Sequence, residues 1–477
     1  CSMLNSNGLK EIQRYAFNGS RLEEVDLSET RVSSLPSIGM ETIEKLRAKN
    51  TWALKALPHF GAFLHLQSAE LTFPSHCCGL KTRLKVLPWC HHHQTPTYAT
   101  EQSQTEGVFY VELPTENFNE GFDFGQCNEF HTDDHGLLCR PLPDALNPCE
   151  DVMSQGFLRV LVWVVSLLAI SANLLVMFIL QTSQQKLSVT RFLMGHLAFA
   201  DFSMGVYLLL IASVDLYTRS HYYLYAIAWQ TGSGCNLAGT LSVFASELSV
   251  YTLTLISFQR WHAIFYAMRP DKKMRLRHAA VLMLVGWVLC VVLALLPLVG
   301  VSSYQKVSIC LPMDTETFAA QTYVVSLLMV NVIAFMVVCL CYLHIYCMVH
   351  NPQHQSSSCD MSMAKRMAIL IFTNFLCLAP ICFYGLSAAL HQPLMTITDS
   401  KVLLVLFYPL NSCAHPFFYA ILTKAFHRDI LMLLSRMGMC QRQAHLYRSQ
   451  LVSIIPHTYR ETTSAPLSSK TAEKMFM

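Results

Sequence analysis

The chain has 477 residues, with 34 Lys and Arg against 31 Asp and Glu and a net charge of +3. So even a balance lacks the basic stripe of a nucleic-acid binder. Charged residues make up 14% and hydrophobic ones 53%, which points to a membrane protein and excludes long disorder as the main theme.

Residues 1–71 read as a partial leucine-rich-repeat ectodomain, with a period of roughly 21–23 residues. Leu22, Val25, Leu27, Thr30, Val32 and Leu35 stand at the repeat spacing. Ile43, Leu46, Ala48 and Thr51 reuse it, and Leu4, Asn7, Leu9 and Ile12 form a partial earlier copy. Each copy predicts a short strand on the concave face of an α/β horseshoe, leaving the residues between its leucines free for a ligand. Three units are few for burying a core. Asn18-Gly19-Ser20 is a glycosylation sequon, so Asn18 is expected to be N-glycosylated on an extracellular face.

Residues 72–155 form a cysteine-rich hinge with Cys77, Cys78, Cys90, Cys127, Cys139 and Cys149. Six cysteines outside a membrane suggest three bridges, and counting alone leaves fifteen pairings open. Cys1 is left over. His91, His92 and His93 follow Cys90, but adjacent residues do not wrap one tetrahedral ion, so no metal is expected there. An exported domain needs a signal, and none precedes Cys1, so the chain reads as a mature or incomplete sequence.

Residues 156–422 read as a bundle of seven apolar runs, each near the roughly 20 residues that span a bilayer as a helix. They are Phe157–Leu180, Phe192–Val214, Cys235–Phe258, Ala279–Val301, Tyr323–Cys347, Met367–Leu390 and Val402–Leu422. Pro297, Pro380, Pro409 and Pro416 fall inside these runs and are tolerated where neighbours satisfy the freed carbonyls. Basic residues gather on one side: Lys186, Arg191, Arg269, Lys272, Lys273, Arg275, Arg277, Lys365, Arg366, Lys424, Arg428 and Arg436. The opposite loops offer little beyond Arg219, Lys306 and Lys401, so the N-terminus is expected outside and the C-terminus in the cytoplasm. Cys235 opens the third run and Cys310 lies in the loop after the fourth; a bridge between them would pin that loop over the bundle. Asp201 and Glu247 are costly in lipid and must face the interior, with Glu247 making interhelical hydrogen bonds and His196 packing inside. A basic amphipathic helix over 423–440 ends at Cys440, an expected palmitoylation site. The tail 441–477 reads as disordered and rich in Ser and Thr, a target for phosphorylation. No phosphate loop, nucleophile–base pair, metal-spaced motif or internal duplication appears, so neither an enzyme nor a transporter, and no cofactor, is expected.

Asn173, Leu197-Ala198-Phe199-Ala200-Asp201, Gln259-Arg260-Trp261, Trp287 and Pro416 to Tyr419 resemble the marks of rhodopsin-like G-protein-coupled receptors. More narrowly, FPSHCC (73–78), LNPCED (146–151), RFLMGHLAFAD (191–201), FASELSVYTLT (244–254), SICLPMD (308–314) and LLVLFYPLNSCA (403–414) resemble the glycoprotein hormone receptors. AKNTWALKALP (48–58), SVDLYT (213–218), LPMDTET (311–317) and RQAHLYR (442–448) look most like the thyrotropin-responsive branch. The short stretch between Cys90 and Cys127 is more like the gonadotropin-responsive branch.

The resemblance implies a plasma-membrane receptor for a heterodimeric glycoprotein hormone that signals through the stimulatory G protein and cyclic AMP. It implies bridges Cys77–Cys139, Cys78–Cys149 and Cys90–Cys127, and an internal agonist at Asn147, Pro148, Cys149, Glu150 and Asp151. Coupling to the G protein would fall to Arg260 with Gln259, Trp261, Lys365 and Arg366. The activation switch would comprise Asn374, Pro380, His415, Pro416 and Tyr419, and a sodium site would comprise Asp201, Asn173, Asn411 and Ser412. The chain departs from the family in four places. Gln259 replaces an acidic residue, Asn374 an Asp, His415 an Asn and Phe124 a sulfated Tyr, for which Tyr110 is the nearest alternative. The repeat array is also short, so a family member with weak hormone binding and constitutive or no signalling is the competing reading.

Overall fold

The computed structural model describes residues 2–58, 62–80, 137–183, 187–266, 274–350, 376–390 and 396–422, together with Thr373, Leu394 and Ile430. Cys1, Cys90, His91–His93, Tyr110, Phe124, Cys127, Lys365, Arg366, Asn374 and Cys440 lie outside the described residues, as do the tail and nearly all of 423–440.

The N-terminal part is a five-stranded parallel sheet in chain order, β1 (Ser2–Met3), β2 (Glu24–Asp26), β3 (Lys45–Arg47), β4 (Ser68–Glu70) and β5 (Leu138–Arg140). Val25, Leu46, Ala69 and Cys139 pair in register and are all buried. β3, β4 and β5 each place a single buried residue between two more exposed ones, so three residues suffice before the chain turns. Ser6, Glu29 and Asn50 have positive φ (54°, 60° and 54°), each three residues past its strand. This repeated left-handed corner lets Ser6 N–H donate to Ser28 O and Glu29 N–H to Lys49 O on the next coil. Gly39 (φ 86°) lies where a Cβ would be 2.3 Å from Phe17 O, so only glycine fits. Leu27, Val32, Met40, Ile43, Leu46 and Phe63 fill the core behind the sheet. Asn18 stands exposed on a turn closed by its own N–H to Tyr15 O.

Three repeat units are expected from the leucine spacing, yet five strands form. The last two escape that reading because Ser68-Ala69-Glu70 and Leu138-Cys139-Arg140 bury only Ala69 and Cys139. β5 reaches the sheet from within the hinge.

The C-terminal part is helical: α1 (Gly156–Thr182), α2 (Val189–Tyr217), the short α3 (Tyr222–Gln230), α4 (Ser233–Phe265), α5 (Leu276–Leu295) and α6 (Phe318–His350). Then come α7 (Leu376–Ala389) and α8 (Ile397–Val402), which runs through a π turn (Leu403–Phe407) into α9 (Tyr408–Leu422). Among the described residues, five helices are long and apolar enough to cross a membrane. Of the expected sixth run only Thr373 and 376–390 are described, and the seventh forms by fusion of α8, the π turn and α9. Helices overrun their apolar runs: α4 continues to Phe265, seven residues past Phe258, because hydropathy marks the bilayer and not the last helical hydrogen bond. Ser188 caps α2 by accepting from Arg191 N–H, and Leu296–Val299 tightens into a 3₁₀ turn after Leu295, with Pro297 near its start. A Cβ on Gly286 would come within 2.1 Å of the Tyr251 ring, so α5 and α4 approach closely only through this glycine.

The loop after α5 folds inward as a lid. Cys310 is bonded to Cys235 at the head of α4, and Tyr304, Val307, Ile309 and Leu311 are buried. Its backbone carbonyls are taken by ring donors, Tyr207 Oη on Ile309 O (2.9 Å) and Trp229 Nε1 on Ser308 O (2.9 Å).

Candidate functional site

Sheet and bundle meet at a disulfide-bonded joint. A helical turn over 74–80 carries Cys77 and Cys78, which bond to Cys139 of β5 and to Cys149 of the following segment. Residues 147–151 are therefore tied to the sheet covalently and to the bundle by hydrogen bonds. Gln230 Nε2 donates to Asn147 Oδ1 (2.8 Å), and Ser308 N–H donates to Leu146 O (2.9 Å). Tyr222 and Tyr223 at the start of α3 donate their N–H groups to Glu150 O and Cys149 O, while Asp151 accepts from Ser220 N–H (2.8 Å). The expected internal agonist thus touches α3, Leu146 just before it touches the lid, and Val152 and Met153 just beyond it are fully buried in the bundle core. A second link joins the parts where Lys306 of the lid lies 4.4 Å from the Trp52 ring centroid, while also pairing with Glu316.

Below this segment sits an ion cluster that sequence reading missed. Arg159 of α1 bridges Asp151 (3.1 Å) and Asp215 of α2, and Asp215 also accepts from Met153 N–H (2.7 Å). Asp215 is wholly buried. Its place in α2 immediately after the apolar run that ends at Val214 is the signal that could have found it, since a charge there needs a partner.

Lys401 was also missed; in sequence it reads as one more exposed loop cation. It is 2% exposed, and its Nζ donates to Ala145 O, with Ser154 Oγ at 3.4 Å.

Deeper in the bundle, Asp201 and His415 are buried and 2.8 Å apart, Oδ2 to Nδ1. Ser249 Oγ donates to Asp201 Oδ1 at 3.2 Å, and Asn173 Nδ2 donates to Ala169 O and Ser412 O. Asn411 and Ser412 are buried in the same helix. Of the expected switch, Pro380 lies in α7 and Pro416 in α9; Tyr419 belongs to α9, with its side chain outside the described set. Asn374, the expected partner of His415, is also outside it. Glu247 Oε1 accepts from Asn331 Nδ2 of α6 (2.8 Å), and His196 Nδ1 accepts from Trp287 Nε1 (3.2 Å).

At the far end of α4, Gln259 Oε1 lies 3.5 Å from Thr190 Oγ1 of α2. Trp261 Nε1 donates to His344 Nδ1 of α6 (2.8 Å), a cross-helix bond that sequence alone did not suggest. No cluster of metal-ligating side chains occurs among the described residues.

Residues 172–419 match the profile of the 7 transmembrane receptor (rhodopsin family). A follicle-stimulating hormone receptor of Felis catus is 50% identical over 94% of this chain and 70% of its own length. A thyrotropin receptor of Bos taurus is 48% identical over 94% of this chain and 69% of its own length. The second alignment needs 528 positions against 488 for the same share of this chain, so the thyrotropin receptor carries more residues that have no counterpart here. Squid rhodopsin, 16% identical, shares the fold with a TM-score of 0.50 over 60% of this chain and 86% of its own.

Proposed function

Because this chain belongs to the glycoprotein hormone receptors of the rhodopsin-type seven-transmembrane family, we propose that it converts binding of a heterodimeric glycoprotein hormone into a cyclic AMP signal. It is a receptor and not an enzyme. In this reading, residues 1–71 act as the leucine-rich-repeat face that meets the hormone outside the cell. The bundle passes the signal through Arg260 to the stimulatory G protein in the cytoplasm. Receptor kinases and arrestin then act on the tail, and the chain resides in the plasma membrane. Thyrotropin is the proposed hormone on the strength of the matched strings, with follitropin or lutropin as the alternative that the shorter hinge favours.

The observation that carries this reading is the double tether of residues 147–151. Cys78–Cys149 links them to the turn at the end of the sheet, and Gln230, Ser220, Tyr222 and Arg159 hold them to the bundle. A ligand that pulls on the sheet must therefore pull on these bonds. A state that relaxes them gains population in proportion to the ligand's preference for it.

Hormone binding is expected to be weak. Arg47 pairs with Glu24 (3.3 Å) and Glu70 (3.6 Å), and Lys49 with Glu70 (3.0 Å), so a ligand must displace existing partners across the sheet's outward face. Cells displaying the chain should answer thyrotropin with cyclic AMP only at concentrations well above nanomolar. Full surface display with no cyclic AMP from thyrotropin, follitropin or lutropin at any dose would instead support the non-signalling family member that Gln259 favours.

A further inference from the structure

The family's likeness implies a sodium ion at Asp201. The residues present do not fit one. Asp201 Oδ2 is engaged at 2.8 Å by Nδ1 of His415, and Oδ1 is engaged by the Ser249 hydroxyl. A hard cation wants several oxygen donors around it, whereas among the described residues the closest polar group to the carboxylate is a ring nitrogen. Asn173, which would supply one oxygen, is held by its amide nitrogen to Ala169 O and Ser412 O. Its Oδ1 has no partner among the described residues, and neither has His415 Nε2. His415 stands three residues past Ser412 on the same helix.

Among the described residues, other charged groups leave Asp201 to His415 and Ser249. Glu247 of α4 is directed to Asn331 of α6, the Cys413 thiol of α9 donates to Val165 O, and 376–389 of α7 contains no charged residue. A buried carboxylate must be compensated by polar partners, and among the described residues the His415 ring and the Ser249 hydroxyl are the groups that touch it.

We propose that the His415 imidazole occupies the cation site of the bundle, strapping α9 directly to α2 through Asp201, so that this receptor does not bind sodium there. The family's asparagine at this position would leave the carboxylate open to an ion; the histidine closes it. Sodium concentration then ceases to set the balance between bundle states, and the strap is a permanent part of the fold.

The test compares thermal unfolding of the purified full-length receptor in sodium chloride and in choline chloride at equal ionic strength. The unaltered receptor should melt at the same temperature in both. His415→Asn should acquire a sodium-specific rise of a few degrees, because a ligand that binds only the folded state stabilises it. Adding Asp201→Asn to that variant should abolish the rise. A sodium-dependent rise in the unaltered receptor overturns the proposal, as does a folded His415→Asn receptor that remains indifferent to sodium. Should His415→Asn not fold, the unaltered receptor still decides: indifference supports the strap, and a sodium shift refutes it.

Discussion

Asp215→Asn should strip most of the receptor from the cell surface and lower the stability of what remains by about 3–5 kcal/mol, the usual cost of breaking a buried ion pair. Asp215 is wholly buried and holds both Arg159 and the backbone of Met153. An asparagine keeps the size but turns an amide toward the guanidinium, leaving only Asp151, 3.1 Å away, to balance it. The cost is thus the orphaned cation and not a lost contact area. It follows that Arg159→Met in the same chain should restore much of the surface display, since removing both charges avoids the penalty. Surface labelling and melting temperature of the single and double variants check this. A double variant no better than Asp215→Asn alone would show that the charge is not the cause.

Gln259→Glu should lower the cyclic AMP signal without hormone by about tenfold, under the proposed coupling. The likeness to the family implies an acidic neighbour of Arg260 that holds the resting bundle. Here Gln259 Oε1 accepts a long contact from Thr190 Oγ1, at 3.5 Å. A carboxylate beside Arg260 adds a charge-assisted bond worth about 1.5–3 kcal/mol, and roughly 1.4 kcal/mol moves a small active fraction tenfold. The Trp261–His344 bond across α4 and α6 is untouched by this change, so the effect isolates the arginine. Equal basal signals from the two proteins at matched surface display would refute it.

The membrane-spanning helices were legible because twenty apolar residues in a row have few other uses, and the helix ends were not, since helical hydrogen bonding continues past the apolar zone at Gln259 to Phe265. The repeat array was legible where leucines mark the coil, at Leu27 and Leu46, and invisible at β4 and β5, where the inward residue is Ala69 or Cys139. Single residues within the site were harder. Lys401 looks in sequence like Arg219 or Lys306; only the fold shows that Ala145 O and Ser154 receive it. His415 was visible as a departure, but which group it meets depends on how α9 is turned toward α2, and no local pattern states that. Arg159 and Asp215 are 56 positions apart, too far for any spacing rule to pair them.

Adjacent cysteines at 77 and 78 have a consequence for how such chains can change over generations. Their bonds to Cys139 and Cys149 fasten both ends of the intervening stretch, 81–136, to the same helical turn. Whatever length lies between, the strand and the segment after it arrive at the same place. Doubling a closed loop costs only about 0.6 kcal/mol, far less than moving either attachment. Insertions and deletions there are therefore nearly neutral for folding, while a single substitution at 77, 78, 139 or 149 is not. Lineages can lengthen or trim this stretch, adding or discarding contact surface, without retuning the joint it hangs from.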